Sequence, residues 1–579
     1  MKNKSKILLI AILLVASFLR LWKLAEIPVS LFGDELDVGY HAYSILKTGK
    51  DYSGNTMPLH FQSLAEWRTP LYLYSVVPTV AIYGISPLGV RLPAALFGIL
   101  GIWGLYLLVK QLTKNKQLAL LSAFVLTISP WHIQYSRAAF EVTMLLAFLL
   151  FGFYFFFKSL SIGEKGPKDG KWLWAASALL VTTPLIYSTA KLFTPAILLV
   201  LLVLWRKEIF KLPKETLTKA LLTLAVLGGI TAYATLFSGG GQRFGYIGVF
   251  SDPIIPTEVG AARLRDSLMR GETGLGLSPT VSDRFFHNKV IFWSENITRN
   301  ILQSFSTDFL FIKGDLNLRH SIDGVGQFYR IEFIAMVLGF LLFFSKYKDK
   351  RTKTFVALWL ILGVLPAAIT RDGGKHATRL ILILPPLIFL ISYGLIETAR
   401  LLKGKIGKLF LLGYFGFLIL NFVVYQHEFW VHNPWDSERW WHYGFEESIG
   451  TIKEIDKDYD KVILSMVNEP VWTFFAAWYE YPPDQWHEGF PFEETYLDGF
   501  GQLSYIDKFY FAGIREEDGG IFALPQYIDN KTLYLAVASE IGENLIRDPG
   551  KGPAGLKLIK AIPYPSGEPA FYLFTKGEK

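Results

Sequence analysis

The sequence predicts a polytopic α-helical membrane protein with about eleven transmembrane helices, interfacial helices in the first outer loop, and a C-terminal extracytoplasmic α/β domain. Three observations predict it. The 579-residue chain is 51% hydrophobic and 16% aromatic with positive mean hydropathy, too apolar for ordinary globular packing. Its apolar runs approach or reach the length needed to cross hydrocarbon, about 17 to 25 residues. Between them, lysines and arginines gather in short clusters of the kind that mark cytoplasmic loops.

The spans fall at 7–22, 88–109, 117–133, 138–157, 172–190, 192–205, 218–237, 328–345, 354–370, 379–399 and 409–425. With the amino terminus inside, this scheme puts Lys110/Lys114/Lys116, Lys158/Lys165/Lys168, Arg206/Lys207/Lys211/Lys214, Lys346/Lys348/Lys350/Arg351 and Arg400/Lys403/Lys405/Lys408 on the cytoplasmic side. Lys2, Lys4 and Lys6 ahead of Ile7–Leu19 resemble a secretory signal. No small-x-small cleavage site follows, however, and Arg20, Trp22 and Lys23 flank an anchor that stays. The scheme keeps 70–86, "PLYLYSVVPTVAIYGIS", out of the membrane. Pro70, Pro78, Tyr72, Tyr74 and Tyr83 suit a helix lying in the interface.

The outer segments are then 23–87, 134–137, 188–191, a long loop 238–327, 371–378 and everything after about 426. The expected domains are a transmembrane domain, 1–425, and an extracytoplasmic α/β domain, 426–579. That tail carries short alternating runs such as "KVILSMV", "KFYFAGI", "TLYLAVA" and "PAFYLFT". Its Trp435, Trp440, Trp441, Trp472, Trp478 and Trp486 suit core packing, or stacking on sugar rings. The chain has no cysteine, which excludes disulfides, thiolate metal sites and thiol nucleophiles. A net charge of +8 scattered in clusters, rather than gathered on one face, argues against nucleic acid.

Chemistry concentrates at four outer places. "LFGDELDVGYHAY" sets Asp34, Glu35 and Asp37 just past the first span, with Asp37 and His41 at i,i+4. An acidic triplet at a helix start can cap a surface helix or supply a general base. "AEWRTPLYLY" brings Glu66 and Arg68, and Arg91 opens the second span, where an arginine can snorkel or bind an anion. "SPWHIQYSRAAFEVT" offers His132, Arg137 and Glu141. The last two could pair at i,i+4, although a membrane-edge carboxylate more often marks function. "TRDGGKHATR" places Arg371, Asp372, Lys375, His376 and Arg379 against the positive-inside pattern, beside a Gly-Gly that permits close backbone approach. Such a turn can cradle phosphate or attract anionic headgroups. Lys191 in "YSTAKLF" adds another outer cation.

Carboxylates and separated cations on one membrane face suit displacement at a carbon that bears a phosphate leaving group. The "GDE" after the first span, "WRTPLYLY…YGISPLGVRLPAALFG" and "SPWHIQYSR" resemble the C-type superfamily of membrane glycosyltransferases. The likeness is greatest to the branch of protein O-mannosyltransferases and the aminoarabinose transferase of lipid A, and it covers residues 1–210. The resemblance implies a polyprenyl-phosphate sugar donor, anomeric inversion, Asp34 as catalytic base and Glu35 as the neighbour that orients the acceptor. Arg68 stands where the family commonly has lysine, and Arg137 matches the arginine that holds the lipid phosphate. Lys191, His376 and Arg379 complete the donor-phosphate set, with Asp37, His41, Arg91, Glu141 and Arg371 supporting or binding the acceptor. Related oligosaccharyltransferases use Asp-x-Asp with a divalent cation, which Glu35-Leu36-Asp37 could imitate. The mannosyltransferase-like strings favour metal independence.

The expected function is therefore an inverting glycosyltransferase of the plasma membrane that moves a sugar from a polyprenyl-phosphate carrier to a protein, glycan or lipid acceptor outside. The amino terminus is expected in the cytoplasm. The alternatives are a transporter or flippase of lipid-linked saccharides, or a metal-dependent oligosaccharyltransferase-like enzyme. A transporter calls for internal repeats and charges near the bilayer midplane, and the sequence has neither.

Overall fold

The apolar runs expected to span a membrane are mainly helical in the computed structural model, because a backbone among apolar side chains must satisfy its polar groups within its own segment. The structure describes residues 2–63, 67–160, 170–241, 245, 247–272, 278–466 and 470–577; Glu66, Lys165 and Lys168 lie outside them. Among the described residues, six helices are long and apolar enough to cross a membrane: Pro87–Thr113, Val142–Ser159, Lys214–Phe237, Lys350–Ala368, Ala377–Leu402 and Gly404–Asp436. A seventh span is made if Lys116–Ile128 and Pro130–Ser136, bent by 61°, are taken together. The bend sits at Ser129, whose backbone is extended because Pro130 disfavours a helical residue before it. The outer turn expected at 134–137 is thus displaced, since helix continues to Ser136 and the chain turns at 137–141.

The chain opens with α1 (Lys2–Leu21) and α2 (Gly33–Thr48). A two-stranded ribbon follows, β1 (Phe61–Gln62) antiparallel to β2 (Trp67–Arg68), and then α3 (Pro70–Tyr83). At about 1.5 Å per residue the 14 residues of α3 reach about 21 Å, short of the hydrocarbon core. α2 is not the surface helix that capping by acidic residues implied. Its N-cap is Phe32, which makes no side-chain cap, and it buries Glu35, Asp37 and His41.

The tail forms a seven-stranded sheet: β3 (Lys461–Leu464), β4 (Glu493–Leu497), β5 (Gly501–Ile506), β6 (Phe509–Phe511), β7 (Thr532–Val537), β8 (Leu556–Pro563) and β9 (Pro569–Lys576), in the order β4-β5-β6-β3-β7-β9-β8. β3 is parallel to both β6 and β7; the other pairs are antiparallel. All six residues of β7 are buried, as suits a central strand covered on both faces. The four alternating runs read in the tail contain β3, β6, β7 and β9. Trp441 and Trp486 are fully buried, so these two tryptophans serve packing, while Trp435 and Trp440 stay exposed.

The sheet domain is seated on α2. The Tyr40 hydroxyl donates to the Tyr481 carbonyl at 2.9 Å, His487 Nε2 lies 2.7 Å from the Asp51 carbonyl, and Trp441 meets Phe32 edge-on at 5.3 Å. These contacts seat the sheet domain along the whole length of the helix that carries the acidic triplet, from Phe32 before it to Asp51 after it.

Candidate active site

Arg68 is the hub. It ends β2, beside α2, and directs its guanidinium at three carboxylates: Nη2 lies 2.7 Å from Asp34 Oδ1, Nε 2.6 Å from Asp37 Oδ2, and Nη1 4.0 Å from Glu141 Oε1. Asp37 is fully buried and also accepts from the hydroxyls of Tyr52 at 2.7 Å and Ser63 at 2.8 Å. His41 stacks on Tyr52 at 3.8 Å, with Nε2 3.9 Å from Asp37; burial pushes its pKa down and favours the neutral ring. Asp34 differs from its neighbours. Its side chain is 53% exposed, an acidic group at the rim held by a buried arginine.

Glu35 turns the other way. Both oxygens take Arg91, at 2.8 Å each, and Oε1 also accepts the Ala139 N–H. Arg91 further donates to the carbonyls of Pro28 and Ser30, and both side chains are fully buried. The expectation that Glu35 orients the acceptor is corrected, because its side chain is sealed; Arg91, expected to support the site or bind the acceptor, joins Glu35 in a closed internal pair that ties α2 to the Pro87–Thr113 helix. Glu35 and Asp37 thus point to different arginines, Arg91 and Arg68.

Arg137 is also displaced from its expected role. Nη1 donates to the Leu19 carbonyl, and Nη2 to those of Lys23 and Ile27, at 2.9 to 3.0 Å. Its face lies over Trp430, 4.9 Å from the ring centroid. With no exposed surface, it caps the end of α1 rather than meeting a lipid phosphate. Nor does it pair with Glu141, which lies near Arg68 instead. Arg68, expected on the phosphate, is engaged with carboxylates.

The basic turn is partly neutralised by the long loop. Arg371 pairs with Asp252 at 2.5 Å and Lys375 with Asp308 at 2.5 Å. Residues 247–249 and 369–371 exchange backbone hydrogen bonds, Arg371 N to Ile247 O at 2.8 Å and Val249 N to Ile369 O at 2.9 Å. The glycine pair permits other close approaches: a Cβ on Gly373 would lie 1.8 Å from the Ala367 carbonyl oxygen, and one on Gly374 2.9 Å from Asn300 Cα.

Two expected phosphate ligands do converge. Lys191 and Arg379 line one cavity of about 310 Å³ together with Tyr187, Gly240, Ile247 and Thr370. Lys191 Nζ donates to the Gly240 carbonyl at 2.7 Å, and Arg379 Nη1 to Thr370 Oγ1 at 2.9 Å. The acidic cluster and this cavity are linked through two consecutive residues. Arg68 holds Asp34, and Thr69 Oγ1 donates to the Ile186 carbonyl at 2.7 Å, one residue before the cavity wall at Tyr187.

His376 joins residues that sequence reasoning missed. Asp315 accepts from the Ala377 N–H at 2.9 Å and lies 3.0 Å from His320 Nδ1, and the His320 and His376 rings are 5.0 Å apart. Burial pushes the Asp315 carboxyl up, but His320 and His376 outweigh it and hold its pKa below the usual value. One ligand atom from each of the three lies within 4.8 Å of the others, a set that could hold a metal ion. Arg319 stacks on Phe32 at 4.8 Å, bringing this cluster beside the start of α2. The available signal was "GDLNLRH", an acid and a histidine five apart at the end of a long loop.

Residues 68–230 match a family model described as dolichyl-phosphate-mannose-protein mannosyltransferase. No curated protein matches the sequence. Among solved structures, ArnT from Cupriavidus metallidurans bound to undecaprenyl phosphate is similar over 99% of this chain and 98% of its own, with TM-score 0.53 and 12% identity. The oligosaccharyltransferase of Archaeoglobus fulgidus with a tethered acceptor peptide aligns with 82% of this chain at TM-score 0.48 and 12% identity. This chain spans only 63% of that enzyme's length. The Saccharomyces cerevisiae Pmt1–Pmt2 complex bound to its sugar donor aligns with 40% of this chain and 32% of its own, at TM-score 0.31 and 20% identity.

Proposed function

We propose, for a chain with the fold of the C-type membrane glycosyltransferases, that it transfers a sugar from a polyprenyl-phosphate carrier to an acceptor hydroxyl, with inversion, at the outer face of a membrane. The observation that carries this reading is the Arg68–Thr69 link: the half-exposed Asp34 and a cavity lined by Lys191 and Arg379 are positioned by adjacent residues of one strand end.

In this reading the acceptor's oxygen attacks the anomeric carbon from the face opposite the phosphate. Asp34 takes the hydroxyl proton, the new C–O bond forms as the bond to phosphate oxygen breaks, and the lipid phosphate leaves with the electron pair. Lys191 and Arg379 meet the charge that develops on it. Arg68 orients Asp34, Asp37 and Glu141 hold Arg68, and His41 packs behind Asp37. The reading gives Glu35 and Asp37 no metal, because each already accepts from an arginine. Eleven crossings with a cytoplasmic amino terminus would put Asp34, the basic turn and the sheet domain on the same outer side.

The test is Asp34→Asn in purified protein supplied with radiolabelled polyprenyl-phosphate sugars and cell-envelope acceptors. Transfer should vanish while polyprenyl-phosphate binding persists. Normal transfer by this variant ends the base assignment.

A further inference from the structure

The sheet domain holds a second cavity, of about 410 Å³, remote in the sequence from the acidic cluster and within the range typical of small-ligand sites. Its position follows from topology. The strands that next follow β3 in the chain, β4, β5 and β6, all lie on one side of it, whereas those that follow β7, namely β8 and β9, lie on the other. Connections that diverge in this way leave a crevice beyond the carboxyl ends of two adjacent parallel strands, which is where open α/β sheets place ligands. Ser465 at the end of β3 and Val537–Ser539 at the end of β7 line the cavity.

The lining defines a ligand class. Tyr443, Phe445, Tyr564 and Phe571 supply ring surface, and Arg439, Ser539 and Asn544 supply polar groups. The two carboxylates in the wall are balanced from nearby, Glu568 by Arg547 at 2.8 Å and Glu543 by Lys551 at 3.3 Å. With both carboxylates paired, a cation finds no uncompensated charge in the wall. A neutral ligand with hydroxyls around an apolar ring face satisfies both the rings and the hydrogen-bonding groups.

One peptide stretch forms a wall of this cavity and also touches the acidic end of α2. Arg439, His442, Tyr443 and Phe445 line the cavity, while Trp441 packs on Phe32 at 5.3 Å and on Arg91 at 5.4 Å. Phe445 stacks on Phe474 at 4.2 Å, and Phe474 in turn is the ring that a Cβ on Gly33 would touch, at 3.6 Å. Two ring layers therefore separate the cavity from the residue preceding Asp34.

We propose that this crevice is a distal saccharide subsite that holds a neutral sugar unit of an oligosaccharide-bearing acceptor. The proposal deepens the glycosyltransferase reading and rests on it for the word acceptor; saccharide binding itself does not depend on it. A distal subsite selects acceptors longer than one sugar, because the unit it holds lies beyond the hydroxyl that Asp34 would deprotonate.

The experiment uses the full chain in lipid nanodiscs, with methyl α-mannopyranoside, methyl β-glucopyranoside and maltotriose as probes, observed by saturation-transfer NMR and titration calorimetry. Wild type should bind at least one probe, and Asp34→Asn should bind it equally well. Tyr443→Ala, with Arg439→Ala as a second variant in case the first fails to fold, should weaken binding at least tenfold while leaving polyprenyl-phosphate binding unchanged. With a transferable donor, Tyr443→Ala should raise KM for an oligosaccharide acceptor more than it lowers kcat. If saccharide binding is lost in Tyr443→Ala but wild type transfers nothing, the subsite stands and the transfer reading fails. If no probe binds wild type, or binding survives both variants, the subsite is overturned.

Discussion

Arg68 lies 2.7 Å from Asp34 and joins this half-exposed carboxylate to the buried Asp37, which it meets at 2.6 Å. A lysine would keep the charge but could not bridge two carboxylates with a rigid planar fork. Arg68→Lys should therefore fold and bind donor yet slow transfer on the order of 10²-fold, the loss expected when a reacting group is misplaced by about an ångström. Single-turnover transfer in nanodiscs reads this, and a variant as fast as wild type would show that the bridge has no part in the reaction.

The Glu35–Arg91 pair makes a stability prediction. Both side chains are fully buried and joined by two hydrogen bonds. Arg91→Ala leaves a carboxylate without its counter-charge, so unfolding should become easier by about 3 to 5 kcal/mol. The double variant Glu35→Gln, Arg91→Met should recover part of that loss. Thermal unfolding in detergent measures both, and an unchanged Tm in Arg91→Ala would contradict the buried placement.

His60 sets a pH dependence. Burial, and then the nearby Lys191, push its pKa from 6.5 down to about 4. The unfolded chain takes up the proton first, so the contribution is fully present above pH 6.5 and is lost as pH falls toward 4. Unfolding followed between pH 4 and 7 should show stability dropping across that window, with a shallower slope in His60→Gln. Equal slopes in the two proteins would place the titration elsewhere.

Much of this was legible in the sequence where a physical rule acts locally. Three carboxylates close together at a predicted helix start do open α2, and the short alternating segments of the tail contain strands. Pairing was not legible. Glu35 and Arg91 are 56 residues apart, and Asp34, Glu35 and Asp37 are equivalent in spacing until Arg68 and Arg91 separate them. The basic turn stood out against the positive-inside pattern of the expected topology, but its partners Asp252 and Asp308, more than 60 residues away in sequence, were not legible. Arg137 misled for a related reason: its partners are the backbone carbonyls of Leu19, Lys23 and Ile27, and a carbonyl is present at every residue.

The contrast between Arg137 and the cavity cations gives the sharpest test of where the donor binds. Lys191 and Arg379 line the cavity, whereas Arg137 is sealed at the end of α1. A charge-assisted hydrogen bond to phosphate contributes about 1.5 to 3 kcal/mol, so Lys191→Ala and Arg379→Ala should each weaken polyprenyl-phosphate binding by on the order of 10- to 100-fold. Arg137→Gln instead strips neighbouring carbonyls of a donor. It should lower Tm, while the fraction that remains folded binds the lipid within about twofold of wild type, as expected for a site with no shared partner. Lipid titration on nanodisc-embedded variants, corrected for folded fraction, separates the two cases. Loss of donor binding in folded Arg137→Gln, with Lys191→Ala unaffected, would move the phosphate to the end of α1 and leave Asp34 without an adjacent leaving group.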